Sequence, residues 1–488
     1  MRMGILIGAT YYVGPSGNDT YTPEQARRTE TPWKTIHRAA KVVTAGDSLI
    51  IKEGIYYETD IEFSHSGAEN KWIVVTAEKG SKPVLIGNGV AGIIIVGDKN
   101  NQYTKSHFII SGLTITGYQN DGIKIFYADY IVLSQICAYD NGNAGINVVD
   151  SDHILVQDSE LHRNGWNSEG DSGWGDGLTI NNHKAVGRTS VVRRNIMYAN
   201  WQKRPGSYWD GNGFTLDMAG DNGIHIVANN IFFNNGGTGL LAGDTGNLIL
   251  VHNVFLRNMS DSRCRNTADL YLVQTGVHDS KLKNNIIYSR PDIWTIDRYI
   301  GDDDALIENN FIWGQDEKNT KIWWLDWKAV TMDYWILNRA PSTLHGDPGF
   351  VSAPHDKGFI SYHNSEWIDM NIEDYDFRLA AYSQCIDQGG FLTETASGGS
   401  GNRITVEDAY YFTDGFGIEG QGDVIKVGTN APVIITEIDY DQNILVVDRS
   451  ISWNRGDYVS FPYNGAAPDV GAFEFGEFID EVDKDNQL

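Results

Sequence analysis

The chain has 488 residues, 53 glycines against 12 prolines, a hydrophobic fraction of 41% and a formal charge of −26. That hydrophobic content is enough for a folded core, no apolar run approaches the roughly 18 residues that span a bilayer, and the charge disfavours nonspecific nucleic-acid binding, which depends on neutralising phosphate. The acid is unevenly placed: residues 160–300 hold 14 Lys and Arg against 13 Asp and Glu, so the middle is close to neutral and an anionic ligand is not excluded there.

Length alone would suggest about three domains, but repeat proteins grow by adding units to one core. The start, MRMGILIGATYYV, is too short for a good secretory signal. With a leader removed before this point, the chain is expected to be secreted or held at a cell surface. Residues 31–47 (TPWKTIHRAAKVVTAGD) are predicted as one amphipathic helix, with Ile36, Ala39, Ala40 and Val43 on its buried face, capping an open solenoid end. It feeds SLIIKEGIYYE, a first strand pair.

Next come apolar pairs around a glycine: DGIKIF (121–126), AGINVV (144–149), DGLTIN (176–181), NGFTLD (212–217) and TGLLAG (238–243). Each is followed by a second series, such as YIVLSQICAYDN and HILVQDSELHRN. Ile123 to Ile146 is 23 residues, and so is Ile131 to Ile154. Short, β-branched, roughly alternating segments read as strands. Two or three of them per coil of about 23 residues predict a parallel β-helix. Asn195, Asn230, Asn253, Asn285 and Asn310 hold one place in successive coils, where stacked amides can hydrogen-bond along the solenoid. Cys137 and Cys385 are expected as buried apolar fillers and Cys264 as a free loop thiol; their spacing matches no metal motif.

Residues 391–464 interrupt the closing coils, and within them GDVIKVGTNAPVIITEIDYDQNILVVDRSISWNRGDYVSF (422–461) has four short strands with polar turns, predicting a small antiparallel β-module. It would cover an edge or bind carbohydrate. The domains are thus 1–390, the insert 391–464, and a closing strand with an acidic tail, 465–488.

YYVGPSGNDT followed by TPWKTIHRAAKVVTAGDSLIIKEGIYYE resembles the N-terminus of right-handed parallel β-helix proteins of the pectate-lyase superfamily. WIVVTAEKGSKPVLIG is similar to their first full coil, and DPGFVS, DFRLAAYSQCIDQGG and APDVGAFEF to the closing coils of many bacterial members. The resemblance covers about 1–390 and 465–475. It implies an all-β, right-handed parallel β-helix, but that superfamily includes lyases, hydrolases, epimerases and phage depolymerases, so chemistry must come from the site. In outline the chain is similar to calcium-dependent family nine polysaccharide lyases, where a lysine is the base and aspartates hold calcium. Their motif does not align onto particular positions here.

The rhythm breaks at GWNSEGDSGWGDG. Ile146 to Leu178 is 32 residues and Leu178 to Phe214 is 36, with the extra length at one corner of consecutive coils. Further long corners follow at 258–269 and 290–304, with the short NNGGTG (234–239) between. Insertions stacked at one corner wall a groove, and coils rise about 4.8 Å each, so neighbouring coils can act on one sugar. Aromatic faces for sugar rings and charged groups for their edges mark Trp166, Trp174, Trp201, Arg204, Tyr208, Trp209, Arg263 and Arg265 as substrate-binding candidates.

Three chemistries fit. A polysaccharide lyase removes the proton beside a uronate carboxylate, which requires stabilisation of the developing charge. Oxygen ligands from Glu169, Asp171, Asp217 and Asp244 would hold Ca²⁺ for this purpose. Lys203, beside Arg204, is the first choice of base, with Asp176 and Asp210 as its catalytic partners; Lys184 is a second choice of base. A glycoside hydrolase would instead pair Asp176 with Asp210, or Asp210 with Asp217. A glycan-binding solenoid would use the groove without catalysis. In all three the partner is a polysaccharide, with no nucleic acid or membrane, and the chain is expected to be a monomer. There is no nucleotide-binding glycine loop, zinc set or Gly-x-Ser-x-Gly elbow.

Overall fold

The computed structural model describes residues 8–100, 104–166, 174–182, 188–203, 209–220, 223–261, 263–264, 268–273, 279–290, 293–298, 305–314, 320–324, 329–353 and 372–476. One coil shows the plan. Asp121–Phe126, Ala128–Ser134 and Cys137–Tyr139 are strands on three faces, and Ile146–Val149, Asp152–Gln157 and Glu160–His162 repeat them one coil on. Ile123 pairs in parallel with Ile146, Ile131 with Ile154 and Cys137 with Glu160. Repetition builds three parallel sheets. The first runs from Thr10–Val13 to Leu306–Glu308, the second from Ile55–Tyr56 to Phe311–Trp313, and the third from Ile61–Glu62 to Ala329–Val330, the last of these strands antiparallel. The chain is a right-handed parallel β-helix.

Alternation drives the packing. Ile123, Ile125, Ile131, Leu133 and Ala138 are fully buried inside the coil, and their neighbours point out. Despite the long corners, Ile146 pairs with Leu178 and Leu178 with Phe214, so the extra residues lie outside the ladders.

The asparagine ladder forms between the first and second sheets. Asn195 Nδ2 donates to Asn230 Oδ1 at 3.0 Å, Asn230 to Asn253 at 3.0 Å, Asn253 to Asn285 at 3.0 Å and Asn285 to Asn310 at 2.9 Å. A second ladder, just after the second sheet, joins Asn141, Asn164, Asn200, Asn235 and Asn258 and ends on Asp269 Oδ1. It explains the glycine in each apolar pair. A Cβ on Gly177 would lie 2.7 Å from Gly213 O and 2.8 Å from Asn200 Nδ2, and Gly122, Gly145, Gly213 and Gly239 face the same obstruction from the next rung. The column is glycine because amides occupy the space a side chain would need.

The three outer faces differ. On the first sheet the outward row is apolar (Ile109, Val132, Leu155, Val191, Ile226, Ile249), and it is buried against Leu392, Ile404, Val406 and their neighbours. These belong to a six-stranded antiparallel sheet between Thr393–Glu394 and Tyr458–Ser460. A buried network pins it: Arg193 pairs with Asp423 and donates to Gln157 Oε1 at 2.9 Å, and Gln157 bonds Gln421. On the second sheet Tyr198, Phe233, Leu256 and Tyr288 are covered by Phe350, Phe377, Leu379, Val470 and Ala472 from the closing segments.

Three local expectations are corrected. The N-terminal helix is only Ile36–Ala40, capped by Thr35 Oγ1, which accepts from Arg38 N. Consecutive β-branched Val42, Val43 and Thr44 disfavour its extension, and the Asp47 carboxylate captures Thr44 N into a turn at 2.9 Å; Ile36, Ala39, Ala40 and Val43 are nonetheless buried. Ser48–Ile51 and Ile55–Tyr56 are not partners but lie on the first and second sheets. Cys137 is half-buried at an outward strand position rather than a core filler, whereas Cys385 is buried, and neither is in a disulfide.

Candidate functional site

The long corners before Leu178–Asn181, Phe214–Gly220 and Ala268–Val273 join the second sheet to the third, and their bases stack coil on coil, whereas 290–304 is not one corner, because Trp294–Arg298 within it is a third-sheet strand. Gly165 N donates to Asn141 O at 2.8 Å, Trp201 N to Asn164 O at 2.9 Å and Gly236 N to Asn200 O at 2.7 Å. Lys203 N reaches Gly165 O at 3.3 Å, and Gly211 N reaches Trp174 O at 2.9 Å. Gly165 has φ 97°, and a Cβ there would lie 1.6 Å from Trp201 O, so only glycine permits this approach.

Asp176 lies beneath the corner, fully buried. Its Oδ1 accepts Gly211 N at 3.0 Å and Asn212 N at 2.7 Å, and its Oδ2 accepts Thr179 Oγ1 at 3.0 Å. Asn212 does the same for the next coil, accepting Thr238 N at 2.9 Å. Burial pushes the Asp176 carboxyl up to about 7, against the donors, which favour its charged form. Asp210 is half-buried and takes Gln202 Nε2 at 3.1 Å. Lys203 and Asp210 thus share one corner, on either side of a gap in the described residues.

The tryptophans divide. Trp174 and Trp209 are 37% and 46% exposed, unusual for indoles. Trp166 is half-buried and donates Nε1 to Asp140 O at 2.6 Å. Trp201 is buried: its Nε1 donates to Asp261 Oδ2 at 2.7 Å, and the Arg263 guanidinium lies 5.2 Å from its ring centroid while pairing with Asp261. Burial raises the Asp261 carboxyl, but the Arg263 hydrogen bonds outweigh it and hold the group low. Glu169, Asp171, Lys184, Arg204, Tyr208 and Arg265 lie outside the described residues.

Unlike the other two, the third sheet has a mainly polar outward row through its middle coils. Lys124, Asn147, Thr179 and Thr215 align on neighbouring strands, and one pleat further Asn181 aligns with Asp217. Alternation shows that these residues face away from the core, a signal the sequence carried and the motif search passed over. Asn147 and Asn181 are buried, yet among the described residues the Oδ1 of each finds no hydrogen-bond donor. Such buried acceptors are costly unless a ligand, ion or water serves them. Asp244, at the end of the neighbouring strand, has a left-handed backbone with φ 44°.

An oxygen-only set built on Asn181 Oδ1 and the Asp217 carboxylate, one strand apart, fits a hard cation such as Ca²⁺. A different cluster, Asp129, Asp152 and His153, gathers ligand atoms within 4.8 Å of one another. It lies on the first sheet and includes an imidazole, and His153 Nδ1 is already bonded to Asp129 Oδ1 at 2.9 Å. That donor set does not suit calcium.

Residues 11–202 match the family described as "Pel9A-like, right handed beta helix region". A stretch of 108 residues is 32% identical to the uncharacterized protein YwoF of Bacillus subtilis (strain 168), covering 22% of each chain. Among solved structures, the pectate lyase Pel9A aligns at 17% identity and TM-score 0.49 over 97% of this chain and 98% of its own. A rhamnogalacturonan lyase aligns at 18% identity and TM-score 0.41 over 62% and 87%. The GH136 lacto-N-biosidase from Eubacterium ramulus aligns at 14% identity and TM-score 0.37 over 62% and 67%. Among the described residues no helix is long and apolar enough to cross a membrane. The chain is thus a parallel β-helix whose residues 11–202 are similar to the Pel9A-like right-handed β-helix region.

Proposed function

We propose that this protein cleaves a uronate-containing polysaccharide by β-elimination in a groove along the third sheet. The observation that carries the reading is the contrast between faces. Two sheets present apolar rows buried under C-terminal segments, while the third presents Asn147, Thr179, Thr215, Asn181 and Asp217 beside a corner bearing two exposed tryptophans. The Pel9A-like match over 11–202 supports the same reading.

In this mechanism Trp174 and Trp209 offer flat faces to sugar rings, Trp166 and Arg263 line the approach, and Arg204, Tyr208 and Arg265 are proposed from the sequence as further substrate contacts. Lys203 takes the proton from the carbon bearing the carboxylate. The electron pair forms the carbon–carbon double bond, the bond to the leaving sugar oxygen breaks, and that oxygen takes a proton from water. Asp210 shares the Lys203 corner and orients the reacting sugar. Asp176, sealed under the loop, fixes the backbone that carries Asp210. Asp217 with Asn181, joined by Glu169, Asp171 and Asp244, would hold Ca²⁺, which when bound neutralises the uronate carboxylate and stabilises developing charge.

Product analysis tests this. Pectate, rhamnogalacturonan, alginate, glycosaminoglycans and neutral glycans are incubated with the protein, with calcium or with chelator. New ultraviolet absorbance together with new reducing ends, lost on chelation, is expected. Reducing ends without absorbance would replace elimination by hydrolysis at an aspartate pair. Neither signal on any substrate would leave a binding solenoid.

A further inference from the structure

The antiparallel module does not close completely on the first sheet. Between them is a cleft of about 270 Å³, with Trp72, His107 and Tyr130 on the solenoid side, Phe416 on the module side, and Glu69 and Asn70 at its margin. The geometry points to a second carbohydrate site in this cleft, non-catalytic and taking a single uncharged sugar residue.

The walls are built to hold rings in place. Trp72, His107 and Tyr130 occupy equivalent places on successive coils. His107 lies 5.0 Å from Trp72 at 68° and 4.8 Å from Tyr130 at 16°. Both His107 and Tyr130 have left-handed backbones, φ 61° and 54°. On the facing wall Gly415, Phe416 and Gly417 are all left-handed, at φ 66°, 62° and 72°. Asp414 Oδ1 secures this loop by accepting Phe416 N at 2.9 Å. The Phe416 ring then meets Tyr130 edge-on at 6.0 Å. Glycine takes this conformation freely, so of the three only Phe416 carries a cost, and the two glycines let the turn bring its ring to the cleft margin.

Size and charge choose the ligand. The volume is near the lower end of ligand pockets, roughly 300 Å³, which suits one sugar residue rather than a chain. Glu69 is exposed at the margin, where a carboxylate can accept two sugar hydroxyls. Among the described residues no lysine or arginine lines the cleft. Burial pushes His107 down, so it is neutral near pH 7, and Asp129 and Glu69 are the acids around it. Deeper in the column, burial lowers His153 but its hydrogen bond to Asp129 and the charges of Asp152, Asp129 and Asp414 outweigh it, so this one cation sits among more acids than it can balance. A uronate would therefore meet net negative charge and be repelled. The cleft would hold neutral sugar units while the groove on the third sheet takes the anionic ones.

The inference deepens the glycan-active reading, but its test needs no cleavage. The full chain is titrated calorimetrically with galactose, xylose, cellotriose, xylotriose and galactotriose, and with galacturonate. At least one neutral probe is expected to bind at a single site. Phe416→Ala and Glu69→Ala are each expected to weaken it tenfold or more with the melting temperature retained, and Trp174→Ala is expected to leave it unchanged. Failure of all neutral probes at millimolar concentration would overturn the proposal. So would binding indifferent to both cleft substitutions, or binding lost with Trp174. If no glycan is cleaved in the product assay but neutral binding follows Phe416, the lyase reading fails and this one stands.

Discussion

Asp176 on one coil accepts the backbone N–H of Asn212 on the next at 2.7 Å, and that of Gly211 at 3.0 Å, so a buried carboxylate holds the floor of the candidate groove. Its ordinary unfolded value is about 3.9, and burial pushes it up to about 7 in the folded chain. Between those values the folded state binds the extra proton. Stability therefore falls as pH rises from about 4 to about 7. Asp176→Asn should flatten this part of the pH–stability curve, measured by chemical denaturation at several pH values. An unchanged slope would show that Asp176 does not titrate there.

Lys203→Ala and Asp210→Ala are expected to remove cleavage by at least a hundredfold without a measurable change in melting temperature. Asp176→Ala is expected to lower both, because Asn212 N loses its acceptor and Gly211 N keeps only Trp174 O, at about 1–3 kcal/mol. Parallel rate and melting measurements separate the roles. Full activity in the first two variants would remove Lys203 and Asp210 from the mechanism.

The glycine column predicts a different failure. Gly177→Ala places a Cβ 2.7 Å from Gly213 O, a backbone atom that cannot step aside alone. The cost is expected to be about 2–3 kcal/mol. Gly80→Ala meets no atom within 4 Å and serves as the comparison, with only its left-handed backbone to pay for, φ 78°. Equal urea midpoints would mean the amide ladder yields to the methyl group.

Much of this architecture was legible because the parallel solenoid repeats its strand spacing in the sequence. The 23-residue steps at Ile123 and Ile131 became pairings directly, and Asn195 to Asn310 stacked as their fixed place implies. The second ladder was missed, although Asn141, Asn164, Asn200, Asn235 and Asn258 each stand two residues after a second-sheet strand. The reading aligned coils on their apolar pairs, and unequal corner insertions hid that second fixed place. Site chemistry was harder to read for a physical reason. An exposed and a buried tryptophan look alike in sequence, and only the fold separates Trp209 from Trp201, which is committed to Asp261. The helix over 31–47 was overread because its apolar spacing continues past the point where Asp47 captures the chain.

Arg193 and Asp423, both buried, tie the antiparallel module to the first sheet. Arg193→Met leaves Asp423 buried without its partner, and about 3–5 kcal/mol of docking energy is expected to be lost. The module should then detach before the solenoid melts, appearing as a separate early transition and as faster proteolysis within 391–464. Arg193→Met with Asp423→Leu removes both charges and should restore most of the loss, since an apolar pair of similar volume needs no counter-ion. Glycan cleavage should be unaffected in either variant, because the groove lies on another sheet. A single transition in Arg193→Met at the wild-type temperature would show that apolar contacts alone, such as Leu155 and Val191 against the module, are enough to keep it seated.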